Sequence, residues 1–202
     1  MRISTNKTRG SNSFVSLSST KNAEVGSYSI NVDQIATPHK LVSDAFGSSE
    51  AVGEGTMTLS SGSESFDINV SATATLGDIR DAINDSLDHT SISATIITDD
   101  NGQHLVLTSK ETGLANAITV TVAEVAQPGD ILGPDNTDKV GLSRLAYDTG
   151  ATNLTEVREA KDAQITIDGS LVVTNSTNEF VDAIDGITIT AKKAHDVNDD
   201  PS

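Results

Sequence analysis

Between Gly55 and Gly113 the hydrophobic period of the chain changes twice, from two residues to about 3.6 and back to two. Few folds accommodate that order of patterns over so short a stretch. Met57 and Leu59 alternate with Thr56 and Thr58, and Phe66, Ile68 and Val70 alternate on the far side of Ser60-Ser61-Gly62-Ser63. Such alternation predicts a hairpin with one buried face. Thr75 then predicts a helix start. Its hydroxyl can accept from the Asp78 amide, and the Asp78 carboxylate suits the first turn. Leu76, Ile79, Ile83 and Leu87 recur at helical spacing with Ala82 beside them, while Arg80, Asp81, Asn84 and Asp85 face water. Gly77 lowers the local propensity by about 1 kcal/mol relative to Ala, so this helix depends on packing against a sheet. Ile92, Ala94 and Ile96 begin a second hairpin, which returns through Leu105 and Leu107. At its tip, Asp99-Asp100-Asn101-Gly102 predicts a hairpin turn, because Asn-Gly tolerates the positive φ of a type I′ turn. Ala117–Val122 is one more strand.

The flanking segments read as strands and loops. Strands are expected over residues 12–20 and 26–36, the latter with Tyr28, Ile30 and Val32 on one face and ended by Thr37-Pro38. The Gly/Ser content of 47–55 predicts a crossing between domains. Residues 126–155 are turn-rich, with a short helical turn at Val140–Leu145. From Ala163 the plan of the central stretch recurs: a strand to Ile167, a turn at Asp168-Gly169, and a return strand over Leu171–Thr174. Asn178 then reads as the cap of a short helix with Phe180, Val181 and Ile184, ended by Gly186, before a closing strand at Ile187–Thr190. Both expected helices contain Asp-Ala-Ile, a weak internal repeat.

Composition narrows the chemistry. With aromatic residues at 3% and no Trp, the core must come from Val, Ile, Leu and Ala, which favours two small domains over one deep one. A formal net charge of −16 disfavours nucleic acid and anionic membrane surfaces as partners. The chain has no Cys, which removes thiol catalysis, disulfides and thiolate-ligated zinc. No apolar run approaches the roughly 20 residues of a membrane helix, and the opening MRISTNKTRGSNS lacks a signal-peptide core.

His39, His89, His104 and His195 stand at no metal-ligand spacing. Residues 196–200 resemble the start of a calcium loop but lack its Gly and closing Glu, and 135–138 fare no better. There is no Gly-x-Ser-x-Gly elbow and no phosphate-cradling loop. The sequence nominates no catalytic, cofactor or metal residue, so an enzyme is not expected.

The runs TLGDIRDAIN and ISATIITDDNGQHLVLTSKETGLANAITV resemble the flagellin IN motif of the bacterial flagellar filament cap family, hook-associated protein 2. AKDAQITIDGSLVVTNSTNEFVDAIDGITIT is similar to a second signature of that family, and GSYSINVDQIATPHKLVS to its approach to the motif. The resemblance implies an α+β, mainly β fold: two small antiparallel β-rich domains, each with a short helix, one inserted into the other. Residues 1–47 plus 156–202 would form a discontinuous inner head domain, and 48–155 an inserted outer head domain. It implies a structural protein at the distal tip of the flagellum, extracellular and exported without a cleaved signal. Its partners would be flagellin and other copies of itself in a ring, with host mucin as a partner in an alternative, adhesin-type reading. No long heptad segment is present, so the chain resembles a head fragment that is itself monomeric, with ring formation through helical segments outside it.

Overall fold

In the computed structural model, residues 13–21, 23, 26–86, 91–125 and 139–196 are described. In chain order the strands are β1 (Val15–Ser19), β2 (Ile30–Gln34), β3 (Lys40–Val42), β4 (Gly55–Ser61) and β5 (Glu64–Val70). After helix α1 (Leu76–Asp85) come β6 (Ile92–Thr98), β7 (Gln103–Ser109), β8 (Thr119–Glu124) and β9 (Thr155–Arg158). The last four are β10 (Ala163–Ile167), β11 (Leu171–Asn175), β12 (Glu179–Ile184) and β13 (Ile187–Ala191). Short 3-10 turns lie at Leu114–Asn116 and Gly141–Leu145, the second where a helical turn is expected. Every strand pair is antiparallel. The mainly β, antiparallel expectation therefore holds.

The chain separates into two compact units. One comprises residues 1–37, 112–114 and 160–202, the other 38–111 and 115–159. The crossing falls at Thr37-Pro38, ahead of the Gly/Ser-rich stretch at 47–55. The physical reason is β3. Its three residues are too few to show a pattern, yet Leu41 pairs with Leu107 of β7 and Glu156 of β9, which commits it to the second unit.

The second unit holds the stretch from Gly55 to Gly113 almost whole. Its sheets run β6-β7-β3-β9 and β5-β4-β8. In the β4–β5 hairpin, Met57, Leu59, Phe66, Ile68 and Val70 are buried, as their alternation requires. The opposite face carries cross-strand polar pairs: Thr58 to Asp67 at 2.6 Å and Ser60 to Ser65 at 2.9 Å. Helix α1 begins with a capping box, in which Thr75 and Asp78 each satisfy the other's backbone N–H. Leu76, Ile79 and Ile83 are buried against the sheets, each adding about 1.5–3 kcal/mol. Ala82, expected beside them, is exposed, and Leu87 lies outside the described residues. Asn84 does not simply face water: its amide exchanges two hydrogen bonds with the Ala94 backbone and pins the helix to β6.

The β6–β7 tip differs from the expected type I′ turn. Asn101 does not take a positive φ. Instead the Asp99 carboxylate accepts from the N–H groups of Asn101 and Gly102 at 2.8 and 3.1 Å, within the expected Asp99–Gly102 turn. Gly102, at φ 145°, backs onto the Phe46 carbonyl, which would lie 2.6 Å from any Cβ.

In the first unit, sheet β1-β13-β12 and sheet β11-β10-β2 share a core. Val15, Ile30, Val32, Ile165, Ile167, Phe180, Ile187 and Ile189 fill it. Tyr28 lies before β2 begins and is exposed rather than sharing the buried face of Ile30 and Val32. The β10–β11 loop contains the left-handed pair that a type I′ turn needs, Asp168 at φ 49° and Gly169 at 69°.

The helix expected after Asn178 is absent. Residues Glu179–Ile184 form strand β12, paired with β13 from Glu179↔Thr190 to Ile184↔Ile187. The Asn178 side chain caps nothing. It accepts from the Ala36 N–H at 2.7 Å and donates to the Ala36 carbonyl at 3.0 Å. Gly186, at φ 70°, turns the β12–β13 hairpin instead of ending a helix. The internal repeat therefore breaks at this element, and α1 is the sole α-helix among the described residues.

Candidate interaction surface

The histidines are not brought together; the three described ones hold backbone in three different places. His39 is 3% exposed, just before β3. Its Nδ1 accepts from the Ile118 N–H at 2.8 Å, which leaves the ring proton on Nε2, 3.1 Å from Glu156 Oε1. The His39 N–H donates to Ser109 Oγ at 2.9 Å. The His39 ring thus ties the approach to β8 to β9, and its backbone N–H ties the start of β3 to the end of β7. His195 lies along the edge of β2. Its N–H donates to the Val32 carbonyl, its Nδ1 accepts from the Val32 N–H, and its ring stacks on Phe14 at 3.8 Å. His104 stands at the start of β7, 2.8 Å from the Ser43 carbonyl. His89, the 135–138 run and most of the calcium-loop-like tail lie outside the described residues. Among the described residues no group of three or more His, Asp or Glu is placed to hold a metal.

Charge is used to clamp loops. Arg144 places its guanidinium carbon over the Phe46 ring, 3.5 Å from its centroid, and donates to Glu50 Oε1 at 2.6 Å and to the Ala45 carbonyl at 2.8 Å. The Gly47 N–H, and then Arg144, hold the Glu50 carboxyl below its ordinary range. The Thr75 backbone does the same for Asp78, and the Asn101 N–H for Asp99. Burial, with Glu156 and Glu159 nearby, raises the Tyr147 phenol. Each perturbed carboxylate serves a turn or a cap. A shallow groove of about 310 Å³ runs between β5 and the first turns of α1, lined by Ile68, Val70, Ala74 and Asp78 among others. The functional candidates are therefore surfaces. In the second unit these are the Thr/Ser face of β4–β5 and the exposed Ile97 and Val157; in the first unit, Leu171, Val172 and Val181, each about 60% exposed. Sequence alternation placed the polar face. It did not single out Val172 or Val181, whose exposure depends on which sheet face turns outward.

Comparison with known proteins gives this surface a context. The Flagellin hook IN motif matches residues 56–111, the run from β4 through α1 to β7. The B-type flagellar hook-associated protein 2 of Pseudomonas aeruginosa is 34% identical over 186 residues, 87% of this chain and 37% of that protein. The chain thus spans little more than a third of the length of that relative, and likewise of the Escherichia coli flagellar hook-associated protein 2, 31% identical over 89% of the chain. Among solved structures, the D2-D3 domains of the flagellar cap protein FliD from Escherichia coli superpose with a TM-score of 0.73 at 28% identity, covering 92% of each chain. FliD (HAP2) from Pseudomonas aeruginosa superposes with a TM-score of 0.72 at 30% identity, covering 94% of this chain and 82% of that one. Two signals, sequence over most of the chain and fold over nearly all of it, converge: the chain belongs to the flagellar hook-associated protein 2 family, the flagellar cap proteins.

Proposed function

We propose that this chain is the head region of a distal flagellar filament cap, a structural part that promotes flagellin polymerisation and has no enzymatic activity. The observation that carries the reading is the two-way match to the D2-D3 domains of a cap protein, which accounts for almost all of both chains. The unit built from both ends of the chain would be the inner head domain, and the unit at 38–111 and 115–159 the inserted outer one. Both units present antiparallel sheets on packed cores, with turns held by side-chain hydrogen bonds, as rigid presentation of a surface requires. Work of this kind is geometric: the heads hold out surfaces to flagellin and to neighbouring copies.

Ring assembly belongs, in this reading, to the part of the family's length that the chain does not match. A formal charge of −16 makes isolated heads repel one another, which suits a ring held together elsewhere. The site of action is extracellular, at the filament tip, reached without a cleaved signal. The relatives are named for the flagellar hook and cap, and the mucin-binding reading gains nothing from them. Gold-labelled antibody raised against this chain, applied to intact flagellated cells of its source, tests the placement. Label at distal filament tips is expected. Label along filament shafts or confined to cell bodies would contradict it.

A further inference from the structure

His104 sits where the β6–β7 hairpin meets the segment that follows β3. Its Nδ1 lies 2.8 Å from the Ser43 carbonyl oxygen. A carbonyl only accepts, so this nitrogen carries a proton. In a neutral ring the other nitrogen, Nε2, would then present a bare lone pair. Nε2 is buried and makes no hydrogen bond. Asp99 Oδ1 stands 3.2 Å from it, within ion-pair range but off the line of a good hydrogen bond. A lone pair facing a carboxylate oxygen is repulsive, and a second ring proton turns the same contact into attraction. The charged groups acting on the ring are Asp99 from the hairpin loop and Asp44 from the segment after β3, both acids.

We propose that His104 is an imidazolium in the folded protein, and that its second proton latches the tip of the β6–β7 hairpin to the Ser43–Phe46 segment. The latch reaches the tip through Asp99, whose carboxylate also holds the Asn101 and Gly102 N–H groups. It reaches the neighbouring segment through Ser43 and the paired backbone bonds between Phe46 and Gln103, 2.8 and 2.9 Å. The Ser43 carbonyl, then Asp99 and Asp44, raise His104 above its ordinary range, with burial opposing. A group raised on folding stabilises the fold fully below its unfolded pKa and loses that contribution as pH rises through its folded value. The tip therefore loosens as pH rises through that folded value, and it is an exposed tip, with Asp99, Asp100 and Asn101 open to solvent.

Nitrogen-detected NMR of the 202-residue chain across neutral pH tests this. Two protonated ring nitrogens are expected for His104 at mildly acid pH. Its midpoint should lie above that of free histidine, and the Asn101 and Gly102 amide signals should move with it. Asp99→Asn should shift the midpoint down and uncouple the two amides. A neutral Nδ1–H tautomer already present at mildly acid pH would overturn the proposal. So would a His104 titration that leaves Asn101 and Gly102 unmoved. The wild-type titration decides the matter even if the variant does not fold.

Discussion

Single polar side chains hold this molecule at places where the backbone has no ladder partner. His39 shows the economy of the arrangement. Ile118 is buried at the approach to β8, and its N–H has the imidazole Nδ1 as acceptor. His39→Phe keeps a ring in the space but removes the acceptor. A buried N–H left unsatisfied costs about 1–3 kcal/mol, so chemical denaturation of His39→Phe should show a loss of that size with an unchanged m-value. None of this could be read from the sequence, where His39 is a histidine beside a proline. Its partners Ser109, Ile118 and Glu156 lie 70, 79 and 117 residues away. The same distance in sequence hides the pairing of His104 with Ser43, 61 residues back.

Two elements that look alike in sequence fold differently, and the comparison shows what local signals can and cannot decide. Helix α1 has a capping box, and its apolar residues Leu76, Ile79 and Ile83 recur over ten residues, enough to bury a face by themselves. Its existence and start were legible for that reason. The run after Asn178 offers the same cap type, the same Asp-Ala-Ile and a Gly at the end, but only six residues, of which Phe180 alone is fully buried. Six residues give fewer than two helical turns, too little to offset helix nucleation. Pairing with β13 satisfies the backbone instead, and Ala36 captures the Asn178 amide. The two positions should respond differently to truncation. Thr75→Ala should cost about 1 kcal/mol as a lost cap, with faster amide exchange confined to the first turn of α1. Asn178→Ala should cost about 1–3 kcal/mol by leaving Ala36 backbone groups unpaired, with faster exchange at residue 36. Faster exchange along 179–184 in a helical pattern would contradict the strand.

At the scale of the whole chain, the mainly β class, the hairpins and the family were legible because alternation and turn chemistry are local and frequent. The crossing between units was not, because β3 is three residues long and its partners are β7 and β9. The interaction surface was only half legible: the Thr/Ser face of β4–β5 follows from alternation, whereas Leu171, Val172 and Val181 need the fold. Charge governs association at this scale. With a formal net charge of −16, the chain should sediment as a monomer at low ionic strength. Its thermal midpoint should rise with added salt as self-repulsion is screened. A stable ring formed by this chain alone would contradict the assignment of ring assembly to segments outside the matched region.

The central claim, that this chain is a working cap head, is tested most directly by transplantation. The region of the Pseudomonas aeruginosa relative that this chain matches is replaced by this chain, the chimera is expressed in a cap-deficient strain, and filament length is measured by electron microscopy. Restored filaments are expected, with none in a control lacking the region. A chimera that is folded and exported, yet leaves cells without filaments while flagellin escapes as monomer into the medium, would contradict the account.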